Sequence, residues 1–106
     1  MKDLEIGVLN ELYGSLLTEK QSDIIRSYYD YDLSLAEIAE QYGITRQAAH
    51  DAVRKGEHAL SAAEEKMGFM AKLRDLESGL HELIAVLKIG DARRSEEIAE
   101  ELLQKL

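Results

Sequence analysis

The chain has 106 residues, with 13 basic against 21 acidic side chains and a formal net charge of −8. That length suits one small domain with a modest core, extended by a helical arm. The absence of proline and cysteine and a count of only 7 glycines favour an all-α protein, and exclude disulfides and thiolate metal sites.

No basic region followed by a long apolar run opens the chain, so no signal peptide is expected. No segment approaches the length that spans a bilayer, so no membrane partner is expected either. The expectation is a soluble protein of a reducing cytoplasm. Residues 1–17, 18–60 and 61–106 carry −2, −3 and −3, so no third of the chain is basic. A field of that sign opposes polyanion binding at long range. Any nucleic-acid contact must be focal, or the binding element serves a protein partner.

In chain order, Leu4, Val8, Leu9, Leu12, Leu16 and Leu17 recur at spacings of three and four within residues 1–17, which predicts a short amphipathic helix. Gly7 and Gly14 weaken it by about 1 kcal/mol each relative to alanine, and Gly14 marks a bend or the helix end. Tyr13 reads as a packing residue. Thr18 opens a second helix, with Gln21 three residues on as a capping box. Ile24, Ile25, Tyr28 and Tyr29 supply its core face, and Asp30, Tyr31 and Asp32 break the pattern into a turn. Tyr28, Tyr29 and Tyr31 are of a type that stacks on bases, but packing two inside with one reaching water is the simpler reading.

The stretch over residues 34–60, SLAEIAEQYGITRQAAHDAVRKGEHAL, organises the rest. Ser34 and Glu37 form an S-x-x-E capping box, and Leu35, Ile38 and Ala39 share one face. Gly43 stands where a chain leaving a helix needs a left-handed residue. Ile44 tucks between the helices, and Thr45 caps a second helix whose inner face is Ala49, Val53 and Leu60. Arg46, Gln47, His50, Asp51 and Arg54 lie opposite that face. This is a helix-turn-helix, and a helical hairpin with a merely solvated face is the competing interpretation. Arg, Gln and Thr suit base edges and phosphates, which makes Thr45, Arg46, Gln47, His50, Arg54 and Lys55 the candidate nucleic-acid-binding residues. Residues 45–60 are also the one locally positive segment of the motif, at +1. Asp51 would repel phosphate unless it pairs with Arg54 or Lys55 at helical spacing.

These residues carry a family resemblance. LLTEKQSDIIRSYYDYDLSLAEIAEQYGITRQAAHDAVRKGEHAL, residues 16–60, resembles region 4 of bacterial sigma factors, whose helix-turn-helix likewise starts with an L-x-x-x-Q helix. The phrases LLTEKQ, YYDYDLSLAEIAEQYGITRQA and D-x-V-R-K are closer still to the YlxM family of small bacterial proteins. The likeness spans residues 10 to about 67, with Ala49 and Gly56 smaller than is usual there. It implies a sigma-region-4-like fold, with Arg46, Gln47, His50 and Arg54 at the base- or phosphate-facing positions. It also implies a link to the signal recognition particle pathway, drawn from the usual neighbours of the family's genes. The expected target is DNA or the particle's RNA, and a protein of the particle is the alternative partner. Fold likeness by itself establishes neither.

Past Leu60 the character changes. Ala63, Met67, Met70, Leu73, Leu76, Leu80, Leu83, Ile84 and Leu87 form one apolar stripe that an isolated helix cannot bury, and Gly68 and Gly79 are expected to bend it. The first helix or a second copy of the chain would cover it. A homodimer is preferred, because so short a chain offers few other helices. After Gly90, Asp91 or Ser95 starts a last helix on which Leu102, Leu103 and Leu106 close the core. The expected organisation is a bundle over residues 1–60 and an arm over residues 61–106 that dimerises or closes the core.

Catalysis needs a convergent constellation, and none is visible. His50 and His58 stand two turns apart without a third ligand between them, so no metal is expected. No glycine-rich phosphate loop or nucleophile turn occurs, and Glu64–Glu65, Glu96–Glu97 and Glu100–Glu101 read as solvated faces. The expectation is a non-enzymatic regulatory protein without a cofactor.

Overall fold

The computed structural model describes residues 3–106, and these fold into six α-helices and one 3-10 turn with no strand. The helices are α1 (Leu4–Tyr13), α2 (Glu19–Tyr29), α3 (Leu35–Tyr42), α4 (Arg46–Met67), α5 (Phe69–Lys88) and α6 (Ala92–Gln104), with the 3-10 turn at Gly14–Leu16. Among the described residues no helix is long and apolar enough to cross a membrane. The chain divides into two compact units, Met1–Gly68 and Phe69–Leu106.

In the first unit α1, α2 and α3 pack around α4. Asp3 caps α1 by accepting from the Glu5 amide at 2.9 Å, and α1 ends at Gly14. The inner face of α1 is Ile6, Leu9 and Tyr13, whereas Leu4 and Val8 of the expected stripe face outward and Leu16 is exposed as well. The helix is rotated from that expectation by a buried polar residue. Asn10 Nδ2 donates to the Ser22 carbonyl at 3.1 Å, and Ser22 Oγ donates back to Asn10 Oδ1 at 3.0 Å. A polar group satisfied on both sides loses most of its desolvation cost, so it sits inward at a position that periodicity assigns to water.

Thr18 opens α2 by accepting from the Gln21 amide at 3.1 Å. Ile24 and Ile25 are buried, each contributing about 1.5–3 kcal/mol of transfer free energy. Tyr28 and Tyr29 are half-buried and meet edge to face with centroids 5.1 Å apart, while Tyr31 is exposed. Ser34 Oγ accepts from the Glu37 amide at 3.1 Å and Glu37 Oε1 accepts from the Ser34 amide at 3.0 Å, closing the capping box of α3. Gly43 follows at φ 65°, a left-handed residue whose amide returns to the Ala39 and Glu40 carbonyls.

Helix α4 buries Ala49, Val53, Gly56 and Leu60. It runs past Leu60 to Met67, longer than the expected recognition helix, because Gly56 does not interrupt it. A Cβ on Gly56 would lie 2.6 Å from Ile25 Cδ1, so glycine is what lets α2 approach α4 so closely. The helix stops at Gly68, left-handed at φ 66°.

That stop corrects the continuous stripe expected from Ala63 to Leu87, which belongs to two separate helices. In the second unit α5 and α6 form a helical hairpin, opened by Asp91 accepting from the Arg94 amide at 2.9 Å. Gly79 does not interrupt α5, which runs unbroken through it. It is a contact point, where a Cβ would fall 2.1 Å from Leu102 Cδ2. Ile98 and Leu102 of α6 are buried, but Leu103 and Leu106 are 70% and 77% exposed, so these two do not close a core within the hairpin. They project beside the seam because only the Ser95, Ile98 and Leu102 side of α6 meets α5.

Candidate functional site

The outer side of α4 is set by what holds its inner side. Beyond the apolar contacts, two tyrosines anchor it. Tyr13 Oη donates to Glu64 Oε1 at 2.7 Å, joining α1 to α4, and Tyr29 Oη donates to Glu57 Oε1, joining α2 to α4. Burial and then the bond to Glu57 hold the Tyr29 phenol well above its ordinary pKa. Both bonds fix the rotation of α4, and with it the direction in which its outer residues point.

Thr45 Oγ1 accepts from the Ala48 amide at 3.0 Å, so this hydroxyl is already engaged as the cap of α4. Arg46 and Gln47 follow in the first turn, both exposed. Gln47 Nε2 donates to Asp51 Oδ1 at 3.0 Å. Asp51 therefore pairs with the glutamine one turn before it and with neither Arg54 nor Lys55. Those two cations border different depressions. Arg54 borders a depression with Asp3, Tyr29, Glu57 and His58, and Lys55 borders a groove with Thr18, Lys20 and Gln21. His50 is half-buried; its Nδ1 is shielded without a hydrogen bond and lies 3.8 Å from Asp51 Oδ1. The Nε2 edge is left as the one through which this imidazole meets anything outside.

With Thr45 engaged as the cap, the other five candidates fall into two groups. Arg46, Gln47, His50 and Arg54 share the outer row, whereas Lys55 looks into the groove, whose floor is Ile24, Ile44, Ala48 and Ala52. Lys20, at the start of α2, joins Lys55 on the rim of that groove. No sequence spacing pointed to Lys20, since only the packing of α2 on α4 brings the two together. Among the described residues Arg46, Arg54, Lys55 and Lys20 enter no ion pair, although the chain has 21 carboxylate side chains. The same residues contain no group of three or more His, Asp or Glu side chains placed to hold a metal ion.

A capped helix, a left-handed glycine turn and a second helix with a free outer row are what a helix-turn-helix requires. The matching family model spans residues 1–104 and is described as "Putative helix-turn-helix protein, YlxM / p13 like", UPF0122. The chain belongs to the UPF0122 family. It is 44% identical over 105 residues to a UPF0122 protein of Desulforamulus reducens, covering 96% of this chain and 90% of that relative. A UPF0122 protein of Symbiobacterium thermophilum is 44% identical over 100 residues, with 90% and 92% covered. One from Clostridium botulinum is 42% identical over 85 residues, with 80% and 78% covered. UPF0122 is described by its helix-turn-helix and not by a reaction.

Proposed function

We propose that this UPF0122 protein binds nucleic acid through the outer row of α4, as a non-enzymatic regulator in the signal recognition particle pathway. Its target in this reading is the particle's RNA or a DNA site, and it works in the cytoplasm as a homodimer. The observation that carries the reading is the set of unpaired cations. In a chain with an acidic surplus, Arg46 and Arg54 stand exposed on one helix without a carboxylate partner among the described residues. They are two turns apart, about 12 Å along the axis, a span that one groove or one strand accommodates. Arg46 also sits at the positive end of the α4 dipole, where a phosphate is favoured. Gln47 and the Nε2 edge of His50 lie between them as hydrogen-bonding groups. The link to the particle rests on the YlxM resemblance.

A second reading, docking of the same face onto a protein of the particle, draws support from the net charge of −8 and from Asp51 in the middle of the row. Labelled particle RNA and a duplex DNA titrated with the wild type, Arg46→Ala and Arg54→Ala separate the two. Nucleic-acid binding predicts that each substitution weakens the complex by about 1–3 kcal/mol while the melting temperature stays put, since both residues lie off the core face. Wild-type protein that binds neither nucleic acid yet retains a particle protein establishes the second reading instead.

A further inference from the structure

From the apolar face of the hairpin in Phe69–Leu106 we infer that this face is the seam of a two-fold dimer, in which α5 and α6 of one copy pack on α5 and α6 of another. None of the 20 residues of α5 is buried. Leu73, Leu80, Ile84 and Leu87 repeat along one side of it, each about half exposed, and Leu103 and Leu106 of α6 are more exposed still. Leu80, Leu103 and Leu106 line one groove between the two helices, together with Leu76, Leu83, Ala99 and Leu102, and no charged side chain enters it.

Those six exposed side chains present on the order of 600 Å² of apolar surface, at the upper end of what a monomer ordinarily leaves in one patch. It also approaches the ~800 Å² that each partner gives to an interface of standard size. The occupant must be apolar along its length, because the groove offers neither a charge nor a hydrogen-bonding side chain to a polar one. A second copy of the hairpin meets that condition, since its face has the same length and composition, and a two-fold axis brings the leucines of each copy into the groove of the other. Two hairpins closed in this way make a four-helix bundle. The acidic surplus reaches only the rim of the seam, where Glu77 of α5 and Glu96 and Glu100 of α6 stand at helical spacing from its leucines. The carboxylates of Glu82, Glu97 and Glu101 are engaged by Arg94 at 3.1, 3.3 and 3.7 Å, away from the groove. Close approach of α6 to α5 at Gly79 leaves Leu102 beneath the groove as its floor. This inference is independent of what α4 binds.

The chain has no cysteine, so single cysteines report the geometry directly. Full-length Leu103→Cys is expected to form a disulfide-linked dimer under mild oxidation at micromolar concentration, while Glu101→Cys, on the opposite side of α6, stays monomeric. Wild type is expected to sediment as a dimer and Leu103→Asp as a monomer of unchanged helicity. Leu103 is already mostly exposed, so that substitution does not undo the hairpin itself. A monomeric wild type at tens of micromolar overturns the inference, as does a dimer that Glu101→Cys links and Leu103→Cys does not.

Discussion

Gly56→Ala tests how α4 is held, because two terms of opposite sign compete there. Alanine in a helix interior is favoured over glycine by about 1 kcal/mol, so a loosely packed α4 would gain stability. The structure predicts the reverse. The new methyl would lie 2.6 Å from Cδ1 and 2.7 Å from Cγ1 of Ile25, a side chain with 0% exposure. Ile25 has nowhere to swing, and α2 is held by the Asn10–Ser22 pair and the Tyr29–Glu57 bond. Overpacking of this kind costs about 1–3 kcal/mol, and the constraint on Ile25 places it in the upper part of that range. The net expectation is a loss of about 1–2 kcal/mol. All five tyrosines lie within Met1–Gly68 and there is no tryptophan, so intrinsic fluorescence during urea unfolding reports that unit alone. Ile25→Val, which removes Cδ1 and costs about 0.5–1.5 kcal/mol by itself, should cost less in the Gly56→Ala background. A coupling of at least about 0.5 kcal/mol is expected. Stabilisation by Gly56→Ala, with additive effects of the pair, refutes the close packing of α2 against α4.

Ser34→Ala removes the capping-box acceptor and is expected to cost about 1 kcal/mol, whereas Gly43→Val, at φ 65°, is expected to cost more; an unchanged melting temperature for Gly43→Val contradicts the placement of the turn. Asp51→Asn keeps an oxygen that accepts from Gln47 and removes one negative charge from the outer row. It should strengthen nucleic-acid binding by up to about 1 kcal/mol in a titration at fixed salt. Weaker binding by an intact Asp51→Asn protein assigns Asp51 to orienting its neighbours or to a basic protein surface. The raised pKa of Tyr29 means that the folded state holds this phenolic proton more tightly than the unfolded chain does. That stabilisation is complete below about pH 10 and is lost as pH rises through the folded pKa. Tyr29→Phe should therefore lose less stability than wild type between about pH 8 and about pH 11, measured by urea unfolding followed by circular dichroism.

Much of the helix-turn-helix was legible in the sequence because its signals are local. The Ser34–Glu37 box, the glycine after Tyr42 and the Thr45 cap each depend on residues within one turn of one another, and all three have the expected geometry. What failed depends on residues distant in the chain. Asn10 lies inward only because Ser22 is there to receive it, so Leu4 and Val8 of the expected stripe turn outward while Leu9 stays inside. Gly68 ends α4 in the left-handed region, where only a bend was expected because Met67 and Met70 carry the three-to-four spacing across it. Gly56 read only as smaller than is usual and Gly79 as a bend, and both are places where a neighbour's side chain comes too close for a Cβ. On the outer row the residue types were visible but their pairing was not. Asp51 had several partners within helical reach, and only side-chain packing decides that Gln47 receives it.

The most direct test of direct nucleic-acid contact by α4 is the affinity for the particle RNA as salt is raised from about 50 to about 200 mM, for wild type and for Arg46→Ala/Arg54→Ala. If the outer row meets phosphates, log affinity falls linearly with log salt, and losing two contacts makes the slope shallower by about 1.4 for single-stranded RNA and about 1.8 for a duplex. An affinity that does not change with salt, or a slope that the double substitution leaves unaltered, contradicts phosphate contact by Arg46 and Arg54.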